Sequence, residues 1–198
     1  MNQHKRSPLQ SAVLQAYSAA AERPQDEHPF PIGREFATSL GYPHHLIAEL
    51  PSVSVSAFAG VSNVSVFADI PRGATVLDLG CGAGLDSLIA AKRVGASGLV
   101  VGIDFSEAML RRARQGAAET GTDNVEFYRA DADDLTIEDG QVDVAIVNGI
   151  FNLNPEREAI FRELARVVRP GGAVYAAELI LREPLSPVVK QSETNWFA

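Results

Sequence analysis

The chain of 198 residues carries one cysteine, Cys81, one tryptophan and two methionines. A single cysteine cannot close an internal disulfide, which fits a reducing compartment, and a cytoplasmic location is expected. It also excludes the set of thiolates that a soft, thiophilic centre needs. Basic residues are outnumbered, 17 Lys and Arg against 25 Asp and Glu, for a net charge of -8. A nucleic-acid surface needs a clustered basic face, and the densest basic stretch is only Arg111, Arg112 and Arg114, which reads as the solvated face of a helix. Long apolar runs are missing as well: nothing approaches the roughly 20 residues of a membrane span. The N-terminus has the outline of a leader in Lys5, Arg6 and the small residues 19–21. Gln10, Ser11, Gln15 and Ser18 break its apolar core, so it reads as a polar, weakly helical arm. His4, His28, His44 and His45 lack ligand spacing to any Cys, Asp or Glu cluster, and no metal is expected.

What is present is 46% hydrophobic residues, enough for one sizeable core and one domain. Within it, Thr75-Val76-Leu77-Asp78-Leu79 runs an apolar strand into three alternate glycines, Gly80, Gly82 and Gly84, and then into a helix. Glycines there let the backbone turn tightly and approach a ligand where a Cβ would collide. Leu85 stands where a dinucleotide fingerprint has its third glycine, and no Gly-Lys-Ser/Thr follows, so a P-loop is excluded and a nicotinamide site is disfavoured. Asp78, Asp86, Asp104 and Asp131 fall around the loop, at or after the ends of apolar runs. Four carboxylates repel a pyrophosphate and suit a ligand with an amine, a sulfonium charge and ribose hydroxyls. S-adenosylmethionine is such a ligand.

Residues 1–31 read as the polar arm and a proline-rich loop, and 32–72 as a helical segment on the substrate side with short helices near 34–39, 44–50 and 63–69. In residues 73–181, strands near 75–79, 98–103, 125–129, 142–147 and 173–181 alternate with helices near 84–94, 106–120 and 155–168. That alternation predicts an α/β fold, a doubly wound, mostly parallel sheet with helices on both faces and the ligand at the carboxyl ends of the strands.

The chain resembles the Rossmann-like S-adenosylmethionine-dependent methyltransferases in VLDLGCGAG (76–84), VVGIDFSEAMLRRAR (100–114), NVEFYRADADDL (124–135), VDVAIVNGIFNLNP (142–155) and RELARVVRPGGAVYAAEL (162–179). AGVSNVSVFADI (59–70) and NGIFNLNP look most like the arsenite methyltransferase-like, small-molecule branch, without its cysteines. The resemblance implies transfer of a methyl group to a small-molecule acceptor by direct in-line displacement. It implies a cofactor site of Asp78, Gly80, Cys81, Gly82, Gly84, Asp104, Phe105, Met109, Asp131, Ala132 and Asn148. Asp78 would position the methionine amine and Asp131 would meet the adenine amine. Asp104, twenty residues after Gly84, stands at the interval at which an acid reaches the ribose hydroxyls. Phe105 and Met109 would contact adenine or pack in the core, and Asn148 would face the cleft or simply end the strand. No catalytic residue is identified; Glu178, His44 and His45 are the candidate bases. Relatives complete a seven-stranded sheet, whereas here seventeen residues follow Leu181 and end in Trp196-Phe197-Ala198. The last two strands are therefore expected to be missing, with 182–198 a truncated extension and 174–181 an exposed edge open to self-association. A silent cofactor-binding module is the alternative from another class.

Overall fold

A computed structural model of the chain describes residues 7–180. Five helices come first, α1 (Pro8–Glu22), α2 (Gly33–Ser39), α3 (His44–Ala48), α4 (Ser52–Val55) and α5 (Val64–Phe67). Then follow β1 (Thr75–Leu79), α6 (Leu85–Val94), β2 (Leu99–Asp104), α7 (Glu107–Thr120), β3 (Val125–Arg129), β4 (Val142–Asn148), a 3-10 turn (Phe151–Leu153), α8 (Arg157–Val167) and β5 (Val168–Ala177). All five strands are parallel, in the order β3-β2-β1-β4-β5.

The central strands are apolar on both faces because both are covered. Val76, Val100, Val144 and Ile146 pack on one face with Val64 of α5 and Ala90, Ala91 and Val94 of α6. Leu77, Leu79, Ala145 and Val147 pack on the other with Ile160, Leu164 and Val167 of α8. The strand order reverses at β1, which pairs with β2 on one side and β4 on the other. A crevice opens outside the carboxyl ends of strands at such a switch point, and this is where a parallel sheet binds its ligand.

Helix α4 has no counterpart in the sequence expectation, and two further elements differ from it. The last strand begins at Val168 rather than 173 and ends at Ala177. Pro170-Gly171-Gly172 looks like a turn before it, but Val142 pairs with Val168 and Val144 with Ala173, so the turn residues are absorbed as a bulge within one strand. Glu178 thus follows the strand instead of closing it. The N-terminal arm is a 15-residue helix. Its Ser7 hydroxyl accepts from the Gln10 amide while the Gln10 side chain accepts from the Ser7 amide, a capping box with Pro8 in the first turn. Val13, Ala20 and Ala21 are buried, and small residues let α1 lie close against α7.

Arg112, expected on a solvated face, is half-buried and joins three elements. Its guanidinium donates to the Ala21 carbonyl at the end of α1 (2.8 Å), the Val53 carbonyl of α4 (2.8 Å) and the Ser56 hydroxyl (2.5 Å). Arg111 and Arg114 are exposed. Among the described residues β5 pairs with β4 alone, and no helix is long and apolar enough to cross a membrane. The expected extension 182–198, with Leu181, lies outside the described residues.

Candidate functional site

The crevice at the switch point is a cavity with about 1070 Å³ of space free of protein atoms, its open mouth included. Its floor is the strand-to-helix loop. Gly80 and Cys81 amides both donate to the Ile103 carbonyl (2.8 and 2.9 Å), the Gly82 amide to Asp104 Oδ2 (2.9 Å) and the Gly84 amide to the Cys81 carbonyl (2.9 Å). The loop is therefore held against the end of β2. Gly80 has φ +79° and a Cβ there would run into Ile150, so that glycine is required by packing. Gly82 has φ +52° and no atom within 4 Å of where a Cβ would stand, although it lines the cavity. Its bare backbone faces open space that a ligand can enter.

Every residue expected to bind the cofactor lines this cavity except Gly84. Gly84 packs instead: a Cβ there would meet Ala113 and Phe127 at 3.0 and 3.2 Å. Asp78, Asp86 and Asp104 are 2%, 6% and 7% exposed, and Asp131 lies at the exposed rim with Ala132. Among the described residues no Lys, Arg or His lines the cavity. Burial is the main cause that lifts all three inner carboxyls above their ordinary range. Asp78 is raised further by Asp86 and relieved by the Ser87 hydroxyl, which donates to it at 2.5 Å. Asp104 is pushed up to about 6, with the Ser106 and Gly82 amides opposing the shift. Its second oxygen accepts from Ser106 at 2.8 Å, and Ser106, not Asp104, caps α7 by accepting from the Met109 amide.

Asp86 accepts from Tyr42 (2.6 Å), Ser65 and Asn148 (2.8 Å), which opposes the desolvation that raises it. Asn148 is used up in the same network. Its Oδ1 accepts from the Val61 and Ser62 amides (2.8 and 3.1 Å), while its Nδ2 also donates to the Ser62 carbonyl (2.7 Å). The side chain thus ties the end of β4 to the turn at Gly60, where a Cβ would stand 2.5 Å from the Asn148 amide nitrogen. Cys81 is buried, and burial together with Asp104 and Asp78 pushes its thiol up, so it stays protonated. The candidate bases fall elsewhere. His44 and His45 are exposed on α3 and do not line the cavity. Glu178 accepts from the Asn152 and Leu179 amides (3.1 and 2.9 Å).

Sequence reasoning missed the roof. Gln10, Val13 and Tyr17, spaced as one helical face of α1, line the cavity, and Tyr17 stacks on Phe30 with ring centroids 4.5 Å apart. Burial, then the charges of Asp104 and Glu178, raise the Tyr17 hydroxyl, which stays protonated. Ala57, Phe58, Ile150 and Leu153 add apolar wall. The signal was the spacing of Val13, Tyr17 and Ala20–Ala21, diluted by glutamine and serine on the other faces.

A doubly wound sheet with an acid-lined glycine loop at its switch point defines an adenosine-ligand α/β domain of methyltransferase type. The chain belongs to the methyltransferase-domain family, whose model matches residues 70–197. S-adenosylmethionine is the cofactor that membership implies. An arsenite methyltransferase of Halobacterium salinarum is 40% identical over 125 residues, 63% of this chain and 32% of that protein. A demethylmenaquinone methyltransferase of Lactococcus lactis is 35% identical over 125 residues, 63% of this chain and 49% of that protein. The crystal structure of an arsenic(III) S-adenosylmethionine methyltransferase from Chlamydomonas reinhardtii superposes with a TM-score of 0.63 at 28% identity, over 83% of this chain and 56% of that one. The chain spans about a third to a half of the length of the curated relatives it matches.

Proposed function

We propose that the chain binds S-adenosylmethionine in this cavity and transfers its methyl group to a small organic molecule. The observation that carries the reading is the combination of the open cradle at Gly82 with an inner wall of carboxylates and, among the described residues, no basic side chain. Such a wall attracts an amine and a sulfonium and repels phosphates. Asp104 has carboxylate lone pairs left beyond those given to Gly82 and Ser106 and would accept from the ribose hydroxyls. Asp131 and Ala132 at the rim would meet the adenine edge, with Phe105 and the buried Met109 against its face. Asp78 and the Gly80–Gly82 backbone would hold the methionine end, and Asn148 would act by fixing the Gly60 turn.

When bound, the cofactor supplies an electrophilic methyl on a sulfonium. The protein's part is to orient the partners and keep water out. Val13 and Tyr17 of α1, with Phe58, Ile150 and Leu153, form the apolar cover that does the second. Alignment of this kind supplies on the order of 7–11 kcal/mol. The reading assigns no general base, because the described histidines, His28, His44 and His45, stand outside the cavity and Tyr17 keeps its proton. The relatives' acceptors, arsenite and demethylmenaquinone, are both small molecules. A soft arsenic centre would find only Cys81, buried and protonated, so the reading favours an organic acceptor. The test is release of S-adenosylhomocysteine from a panel of small organic acceptors. Turnover with at least one supports an enzyme; binding without any turnover across the panel supports the silent module instead.

A further inference from the structure

We infer that Tyr42, which stands outside the cavity, is a positioning residue of the site: through Asp86 and Asn148 it holds the 57–60 wall where the cofactor needs it. This rests on the reading above that the cavity binds S-adenosylmethionine.

Tyr42 lies in the turn between α2 and α3, is 2% exposed and lines no part of the cavity. Its hydroxyl donates to Asp86 Oδ1 at 2.6 Å, with the Ser62 carbonyl at 3.0 Å as the second acceptor in reach. Burial, then the charge of Asp86, raises that hydroxyl, so it keeps the proton it donates. Its ring meets Phe58 edge-on, with centroids 5.2 Å apart. The same turn is tied to the next segment a second time, where Asn63 Nδ2 donates to the Gly41 carbonyl at 3.0 Å. One side chain thus bears on two parts of the wall, the Phe58 ring and the Gly60 turn.

The route to Gly60 runs through an asparagine whose orientation is chosen for it. A carboxamide can be turned over with little change in shape, which exchanges its donor and acceptor ends. In Asn148 the two amide protons go to Asp86 Oδ2 (2.8 Å) and the Ser62 carbonyl (2.7 Å), which leaves Oδ1 to accept from the Val61 and Ser62 amides (2.8 and 3.1 Å). Turned over, it would set Oδ1 against a carboxylate and Nδ2 against two N–H donors. Asp86 therefore selects the orientation that clasps the turn, and Tyr42 and Ser65 hold Asp86 by its other oxygen. A buried polar network with its members satisfied is stiff, and loss of one member loosens the rest. Gly60 is where that stiffness reaches the cavity, which Phe58, Gly60, Asp86 and Asn148 all line. A Cβ on Gly60 would stand 2.5 Å from the Asn148 nitrogen and 2.7 Å from the Phe58 ring, so turn, ring and carboxamide interlock. A shift of about 1 Å in such a wall is enough to spoil the alignment of what it holds.

Tyr42→Phe keeps the ring against Phe58 and removes only the hydroxyl. Titration calorimetry of the full chain with S-adenosylmethionine, and amide hydrogen exchange followed by NMR, read the two ends of the relay. The expected result is at least fivefold weaker binding, with exchange at the Val61 and Ser62 amides accelerated at least tenfold more than at the buried Val100 of β2, which follows the stability of the whole fold. A folded variant that binds within fivefold of the parent, or whose Val61 and Ser62 amides fall short of that margin, would show a hydroxyl that merely stabilises the core and would overturn the proposal. Should the variant fail to fold, the parent decides: saturation with S-adenosylmethionine must slow exchange at Val61 and Ser62 at least tenfold, and a smaller change overturns the proposal. A parent chain that does not bind S-adenosylmethionine would instead overturn the cofactor reading on which it rests.

Discussion

Asp104→Asn is expected to move stability and ligand affinity in opposite directions. The carboxyl is buried and pushed from 3.8 up to about 6, so an ionised Asp104 at pH 7 costs the fold about 3 kcal/mol relative to a neutral side chain. Asparagine removes that cost. It also turns an amide NH₂ toward either Gly82 or Ser106, whose backbone N–H groups are now accepted at 2.9 and 2.8 Å, and one of them loses its acceptor at about 1–3 kcal/mol. The two effects leave the unliganded variant between unchanged and about 2 kcal/mol more stable at pH 7. The folded-state carboxyl is raised, so the native protein binds the extra proton, and stability of the parent chain falls as pH rises from about 4 to about 6 through this group. The variant lacks that component. Affinity for S-adenosylmethionine moves the other way, because a charged acceptor for the ribose hydroxyls is lost, worth about 1.5–3 kcal/mol or roughly ten- to a hundredfold. Urea denaturation at pH 4.5 and 7 with calorimetry at pH 7 measures both. A variant destabilised by more than about 2 kcal/mol at unchanged affinity would mean that Asp104 only anchors the loop.

Gly82→Ala places a methyl in open space at φ +52°, so about 1–2 kcal/mol of stability is lost to the left-handed backbone while cofactor affinity falls more than about tenfold. Unchanged affinity on a folded variant would show that the ligand does not use this cradle. Cys81→Ser should leave S-adenosylmethionine binding nearly unchanged, since the buried thiol packs in the apolar core and its hydrogen bond is a long one, 3.8 Å to the Gly82 carbonyl. With Cys81 as the single cysteine there is no thiolate cluster to hold arsenic, so methylated arsenic should not form above a no-enzyme control with arsenite and a thiol reductant, and its detection would refute the organic-acceptor reading. The β5 edge, paired only with β4 among the described residues and carrying exposed Val174, should drive concentration-dependent self-association that Val174→Lys weakens. Light scattering that reads a monomer at every concentration would show that the edge is covered.

The doubly wound core was legible because its signals are local. An apolar strand running into alternate glycines, an acid at the end of β2 and Ser106 before an apolar-periodic helix each declare themselves within a few residues. The start of β5 was not, since Pro170-Gly171-Gly172 reads as a stop and only pairing with β4 turns it into a bulge. Arg112 reads as solvated because its acceptors are the carbonyls of Ala21 and Val53, far away in the chain. The acids of the site could be named from spacing, but their partners could not. Asp86 joins Tyr42, Ser65 and Asn148, side chains from three separate segments, and the spacing that puts Val13 and Tyr17 on one face of α1 does not say that this face roofs Asp104.

The central claim is that the acid-lined glycine cradle takes a cationic adenosine ligand and not a dinucleotide. Titration calorimetry of the chain with S-adenosylmethionine and with NAD under identical conditions tests it most directly. The account predicts saturable binding of S-adenosylmethionine at a single site and no measurable heat from NAD; NAD binding as tight or tighter would contradict it.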